Sequence, residues 1–179
     1  MSNIAHVLVS NAKFTKGYAD VLTKGIDAKL AARKPKGNAV TGASIDTNHP
    51  TFVYGHLSLY FARLPEILGV PAPEGIRAPE HWEPLFKAGA PCHDDPEGKI
   101  YPTWDAVLAQ FNKGNDLALG VLAQATESKM FAEVTDPARK DRFPYVGSLV
   151  TFLVMGHPMM HLGQISTWRR CYGLPSALG

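Results

Sequence analysis

A chain of 179 residues, 45% of them hydrophobic, is long enough to bury a sizeable core, and one domain over residues 1–179 is expected. The net charge is +2 and no run of like charges is long enough to form a basic arm or an acidic tail, which argues against nucleic acid or an anionic membrane as a partner. Two cysteines without CxxC spacing, Cys92 and Cys171, build neither a zinc ribbon nor a disulfide framework, which fits a reducing compartment.

Met1 to Ser10 has no basic start followed by a sustained apolar run. The longest apolar run, Leu149 to Gly156, falls far short of the roughly 20 residues that a membrane span needs. A soluble, untargeted, cytoplasmic protein is the expectation. From Ile4 to about Ala32, the residues Ile4, Leu8, Ala12, Ala19, Leu22, Ile26 and Leu30 recur at three, four and seven, the stripe of an amphipathic first helix. Lys34-Pro35-Lys36-Gly37 ends it, and a polar loop follows to Asn48.

A second helix is expected from Asn48-His49-Pro50 to about Ile67, with Asn48 as cap and Pro50 in the first turn, where its missing N–H costs nothing. Its stripe of Phe52, Val53, His56, Leu59, Tyr60 and Leu64 places His56 among apolar residues, and Pro65 kinks or ends it. Between Pro65 and Pro102 stand eight of the 14 prolines and no period survives, so this segment reads as a lid or crossover, with a short helical piece around Glu80 to Lys87.

Thr103 is the expected cap of a third helix, Trp104 to about Thr126, whose middle is polar and slightly weakened by Gly114. A charged connection, Glu127 to Arg142, leads to a fourth helix over about Ser148 to Tyr172. Arg169 and Arg170 lie near its negative end, and Gly173 and Pro175 follow it. Its inward stripe runs Val150, Leu153, Val154, His157, His161, Gln164, Ile165 and Trp168. The fold class is therefore all-α: a four-helix bundle with a long Pro-rich connection between helices two and three.

His157 and His161, four residues apart, turn their imidazoles to one helix face, and with His56 they supply three nitrogens from two helices. Three neutral imidazoles bind Zn²⁺ or a similar ion and leave a fourth position open for water or substrate. A lone histidine on an apolar face is more often a hydrogen-bonded core residue, so bare spacing leaves both readings of His56 open. Two buried imidazoles together need polar partners or a metal to offset desolvation. His49 and His6 have weaker claims as ligands. Tyr60 and Gln164, each one turn beyond a ligand candidate, are the candidate pocket residues. Cys92-His93-Asp94-Asp95 reads as a solvated turn, because adjacent residues chelate one ion poorly, and capping accounts for Arg169-Arg170 without an anionic substrate.

Asn48 to Leu57 with His56, the run His157-Pro158-Met159-Met160-His161-Leu162-Gly163-Gln164-Ile165, and the Trp168-Arg169-Arg170 to Pro175 tail together resemble the DinB/YfiT-like superfamily. That resemblance implies a four-helix bundle holding nickel or zinc, with iron or manganese as alternatives, through His56, His157 and His161. It also implies a homodimer, and relatives that act as thiol-dependent S-transferases or isomerases on a small electrophile with a low-molecular-weight thiol. The alternative is a non-catalytic dimerising bundle whose metal or packed histidines are structural. Relatives often carry an acidic residue after the first histidine of the motif. Here it is Pro158, which should kink the helix and removes a carboxylate base.

Overall fold

The structure, a computed structural model, describes residues 2–37 and 42–177. Residues 38–41 of the expected polar loop, and residues 1 and 178–179 of the expected domain, lie outside the described residues. Those described form an all-α fold whose only β pairings are two isolated bridges, Lys36 with Ser44 and Glu133 with Tyr145.

Helix α1 spans Asn3–Thr23, capped by the Ser2 hydroxyl on the Ala5 N–H. It buries Ala5, Leu8, Ala12, Thr15, Ala19 and Leu22, a strict alternation of threes and fours. The helix stops nine residues before the expected Ala32. Lys24 is extended and Gly25 takes a φ of 74°, a left-handed turn open to glycine. The buried Arg169 guanidinium then caps the freed carbonyls, donating to Leu22 O at 2.9 Å and Lys24 O at 2.6 Å. Arg169 thus caps a different helix from its own.

Helix α2, Pro50–Tyr60, is buried from Pro50 through Ser58 and occupies the centre of the fold. Its cap is His49 and not Asn48, since His49 Nδ1 accepts the Phe52 N–H at 3.1 Å. The chain breaks at Phe61-Ala62 and resumes as α3, Arg63–Leu68, because Pro65 has no N–H for the Phe61 carbonyl and its ring crowds it.

Full burial pushes the pKa of His49 down to about 4, while its Nε2–H donates to the His93 carbonyl at 3.0 Å. In the unfolded chain it protonates near pH 6.5, so between the two values the unfolded state binds more protons. Its contribution to stability is complete above pH 6.5 and is lost as pH falls toward 4, by at most about 1.4 kcal/mol per pH unit. His49→Asn, which retains a capping oxygen, is expected to flatten the fall of melting temperature over that window. An unchanged slope in thermal melts would exclude His49 as its source.

The Pro-rich crossover is not a detached lid. A 3₁₀ turn at Glu80–Trp82 runs into the short helix α4, Glu83–Phe86, close to the expected helical piece, and Ile76, Trp82, Phe86 and Tyr101 all reach the core. Aromatic side chains rather than periodicity anchor it. Phe86 lies against α2 so closely that a Cβ on Gly55 would stand 2.5 Å from its ring. The Cys92–Asp95 stretch is a latch and not a solvated turn. Asp94 receives Arg33 Nε at 2.8 Å and Nη2 at 3.2 Å, and buried Asp95 accepts the backbone N–H groups of Lys99, Ile100 and Tyr101.

Helix α5, Trp104–Leu122, begins at the expected Thr103 cap. Gly114, read as a weakness, admits the Phe61 ring, which a Cβ would meet at 2.6 Å. A short α6, Glu127–Met130, precedes the last long helical stretch, Val146–Cys171. That stretch comprises α7 (Val146–Thr151), a π turn (Phe152–Gly156) and α8 (His157–Cys171). It is long and apolar enough to cross a membrane by length and composition, beyond the short run expected from the sequence. Helix α2 packs on α5 and α8, and α1 on α5 and α8, so the core lies between these four.

Candidate metal centre

Helix α2 brings His56 and helix α8 brings His157 and His161 to one point, where one ligand atom from each lies within 4.8 Å of the others. The i, i+4 spacing sets the two α8 imidazoles edge to face, their centroids 4.7 Å apart, and the His56 ring sits 4.6 Å from His161 and 5.1 Å from His157. The π turn delivers them: the His157 N–H bonds back to Phe152 O, five residues earlier. Pro158 then falls in the first turn of α8, where no N–H is required, so a widened turn replaces the expected simple kink.

Hydrogen bonds fix which nitrogens face inward. His56 Nδ1 donates to the Phe86 carbonyl at 2.6 Å, which leaves Nε2 as a lone pair. Gln164 Oε1 accepts from Asn48 Nδ2 at 3.0 Å and from His161 Nδ1 at 3.2 Å, and so fixes the same tautomer there. His157 Nδ1 is buried without a partner among the described residues, while its Nε2 stands 3.1 Å from His56 Nε2.

Those two nitrogens face each other across a gap that suits a shared cation. At ligand bonds of about 2.0–2.1 Å, neighbouring corners of a tetrahedron are about 3.3 Å apart, close to the observed spacing. Burial pushes the pKa of His56 down to about 4 and of His157 down to about 3, and it lowers His161 as well. All three imidazoles are therefore neutral ligands near pH 7 and do not exclude a cation by their own charge. The trio can hold a metal ion.

Tyr60 walls the site, its ring 4.9 Å from His56 and 4.6 Å from His157. Gln164, the other candidate pocket residue, orients His161. Gln164→Leu is expected to weaken metal binding about 10–100-fold, read by chelator competition, because it frees the His161 ring. An unchanged affinity would show that the bond has no orienting role. Asn48 and the Phe86 carbonyl escaped the sequence reading: Asn48 resembled a helix cap, and a backbone carbonyl carries no residue signal. His49 faces the Cys92–Asp95 latch and His6 is exposed on α1. Neither is part of the trio.

The sequence model of the DinB superfamily matches residues 12–165, which span all three histidines. The chain belongs to the DinB superfamily. Neither a curated protein nor a solved structure matches it. Within this DinB-superfamily chain, the match begins inside α1 and ends in α8, so it embraces the four packed helices together with the crossover between them.

Proposed function

We propose that this DinB-superfamily chain is a single-domain, cytoplasmic four-helix bundle that binds one divalent ion, nickel or zinc, through His56, His157 and His161. On this reading it is a thiol-dependent S-transferase or isomerase acting on a small electrophile. The observation that carries the reading is the pair of facing Nε2 atoms 3.1 Å apart, with the Nδ1 of His56 already committed to a carbonyl.

A bound divalent ion with only neutral ligands would keep its double charge and supply a position at which a low-molecular-weight thiol loses its proton near neutral pH. The chain's residues would hold that position: α2 and α8 aim the imidazoles, Phe86 O and Gln164 fix the tautomers of His56 and His161, and Tyr60 walls one side of the site. The thiol sulfur then bonds to the electrophilic carbon, and the displaced group leaves with its electron pair. With Pro158 after His157 no carboxylate stands there to serve as base, so the thiol proton passes to solvent.

A homodimer fits the surface. Phe131 (65% exposed), Tyr145 (47%) and Met159 (38%) leave large apolar side chains uncovered near the π turn, around a groove of about 770 Å³ that also includes Met155. Elemental analysis of the purified protein, paired with a thiol-conjugation assay, tests the reading. About one ion per chain and metal-dependent conjugation are expected. Stoichiometric metal with no conjugation across thiols and electrophiles would favour the structural alternative, and under about a tenth of an ion per chain would sink the metal site.

A further inference from the structure

Beside the trio lies a cavity of about 410 Å³, the size of a small-ligand pocket. His157 and Tyr60 line it, together with Phe143, Phe152 and three arginines, Arg63, Arg139 and Arg142, and no acidic side chain lines it. Arg63, at the start of α3, lies over the Tyr60 ring with its guanidinium carbon 4.4 Å from the centroid. The same ring lies against the histidine trio, since the centroids of Tyr60 and His157 are 4.6 Å apart. Arg63 therefore stands one aromatic ring away from His157.

Neither Arg63 nor Arg142 has a carboxylate partner among the described residues; Arg142 lies over the Phe143 ring, at 6.0 Å. Arg139 is paired through Nε with Asp136 at 3.2 Å. Elsewhere the chain pairs Arg33 with Asp94 and Arg77 with Glu66, so two unpaired guanidinium groups at one cavity stand out. Gathered like charges repel, and an anion placed among them relieves that repulsion. The guanidinium fork fits a planar carboxylate through two parallel hydrogen bonds, while the walls of Phe143, Phe152 and Leu153 suit a short carbon skeleton.

We propose that this cavity binds the electrophilic substrate as a small carboxylic acid, with Arg63 and Arg142 holding the carboxylate and the reacting carbon turned toward His157. The substrate assignment rests on the reading of the trio as a reaction site, whereas the carboxylate site itself does not.

Calorimetric titration with succinate, neutral succinamide and inorganic phosphate, on zinc-loaded and on chelator-stripped protein, tests it. Succinate is expected to bind and succinamide not. Arg63→Gln and Arg142→Gln are each expected to weaken succinate at least about tenfold in both metal states, with Arg63→Lys falling in between. Both side chains are exposed, so the variants are expected to melt like the parent. Equal binding of succinate and succinamide, or succinate affinity unaffected by the double Gln variant, overturns the proposal. Loss of succinate binding on stripping alone, without arginine dependence, also overturns it, because the carboxylate is then a metal ligand. Phosphate binding as tightly with the same arginine dependence overturns the carboxylate assignment in favour of a general oxyanion site. Arginine-dependent succinate binding in protein that takes up no metal upholds the pocket and sinks only the reading of the trio.

Discussion

His161→Ala is expected to leave the protein with under about a tenth of a metal ion per chain while its metal-free melting temperature moves by only a few degrees. Apparent binding energies of about 10–16 kcal/mol for four-ligand structural zinc amount to roughly 3–4 kcal/mol per ligand, or two to three orders of magnitude in affinity. His161 is the ligand best suited to this test. It is only partly buried, and among the described residues its ring has one hydrogen-bond partner, the half-buried Gln164, so its removal opens little of the core. Elemental analysis and thermal melting of the variant read both quantities. If metal stays stoichiometric, the ion sits elsewhere. If stability collapses and no activity is found in the parent, the trio is a structural staple.

Phe86→Ala is expected to cost about 3–5 kcal/mol of stability, equivalent to a fall of roughly 6–20 °C in melting temperature for a chain of this length. The ring is fully buried, with its centroid 5.6 Å from Trp82 and Tyr101 and 6.0 Å from Phe52, and it presses on α2 at Gly55. Truncation leaves a hole among three aromatic rings and frees the α4 segment whose carbonyl holds His56. Metal affinity should therefore fall together with stability, although the side chain touches no ion. A loss below about 1 kcal/mol in chemical denaturation would show that the crossover is not part of the core.

The long helices were legible because each carries its own 3.6-residue stripe, and the trio because i, i+4 spacing and an inward histidine on a second stripe are local signals. The end of α1 was not. Ile26 and Leu30 continue its period, but Gly25 turns the chain and Arg169, 147 residues beyond Leu22, completes the cap. The Pro-rich crossover hid its role for the same reason. Phe86 and Tyr101 are held by Phe52, and Tyr101 also by His49, rings distant in sequence, and no period marks them. Asn48 was assigned to a helix terminus when its side chain reaches Gln164, 116 residues away. Local pattern found the three histidines; the groups that orient them depend on contacts that only the folded chain brings together.

The π turn at Phe152–Gly156 amounts to one residue more than a plain α-helix would use over the same rise. His157 and His161 follow it on one rigid segment and keep their mutual geometry whatever its length. Their meeting with His56 is a matter of residue count: a helix shorter by one upstream would carry the intact pair to another side of α8. Completion of the trio is thus set by a length difference outside the motif, which the motif alone cannot reveal.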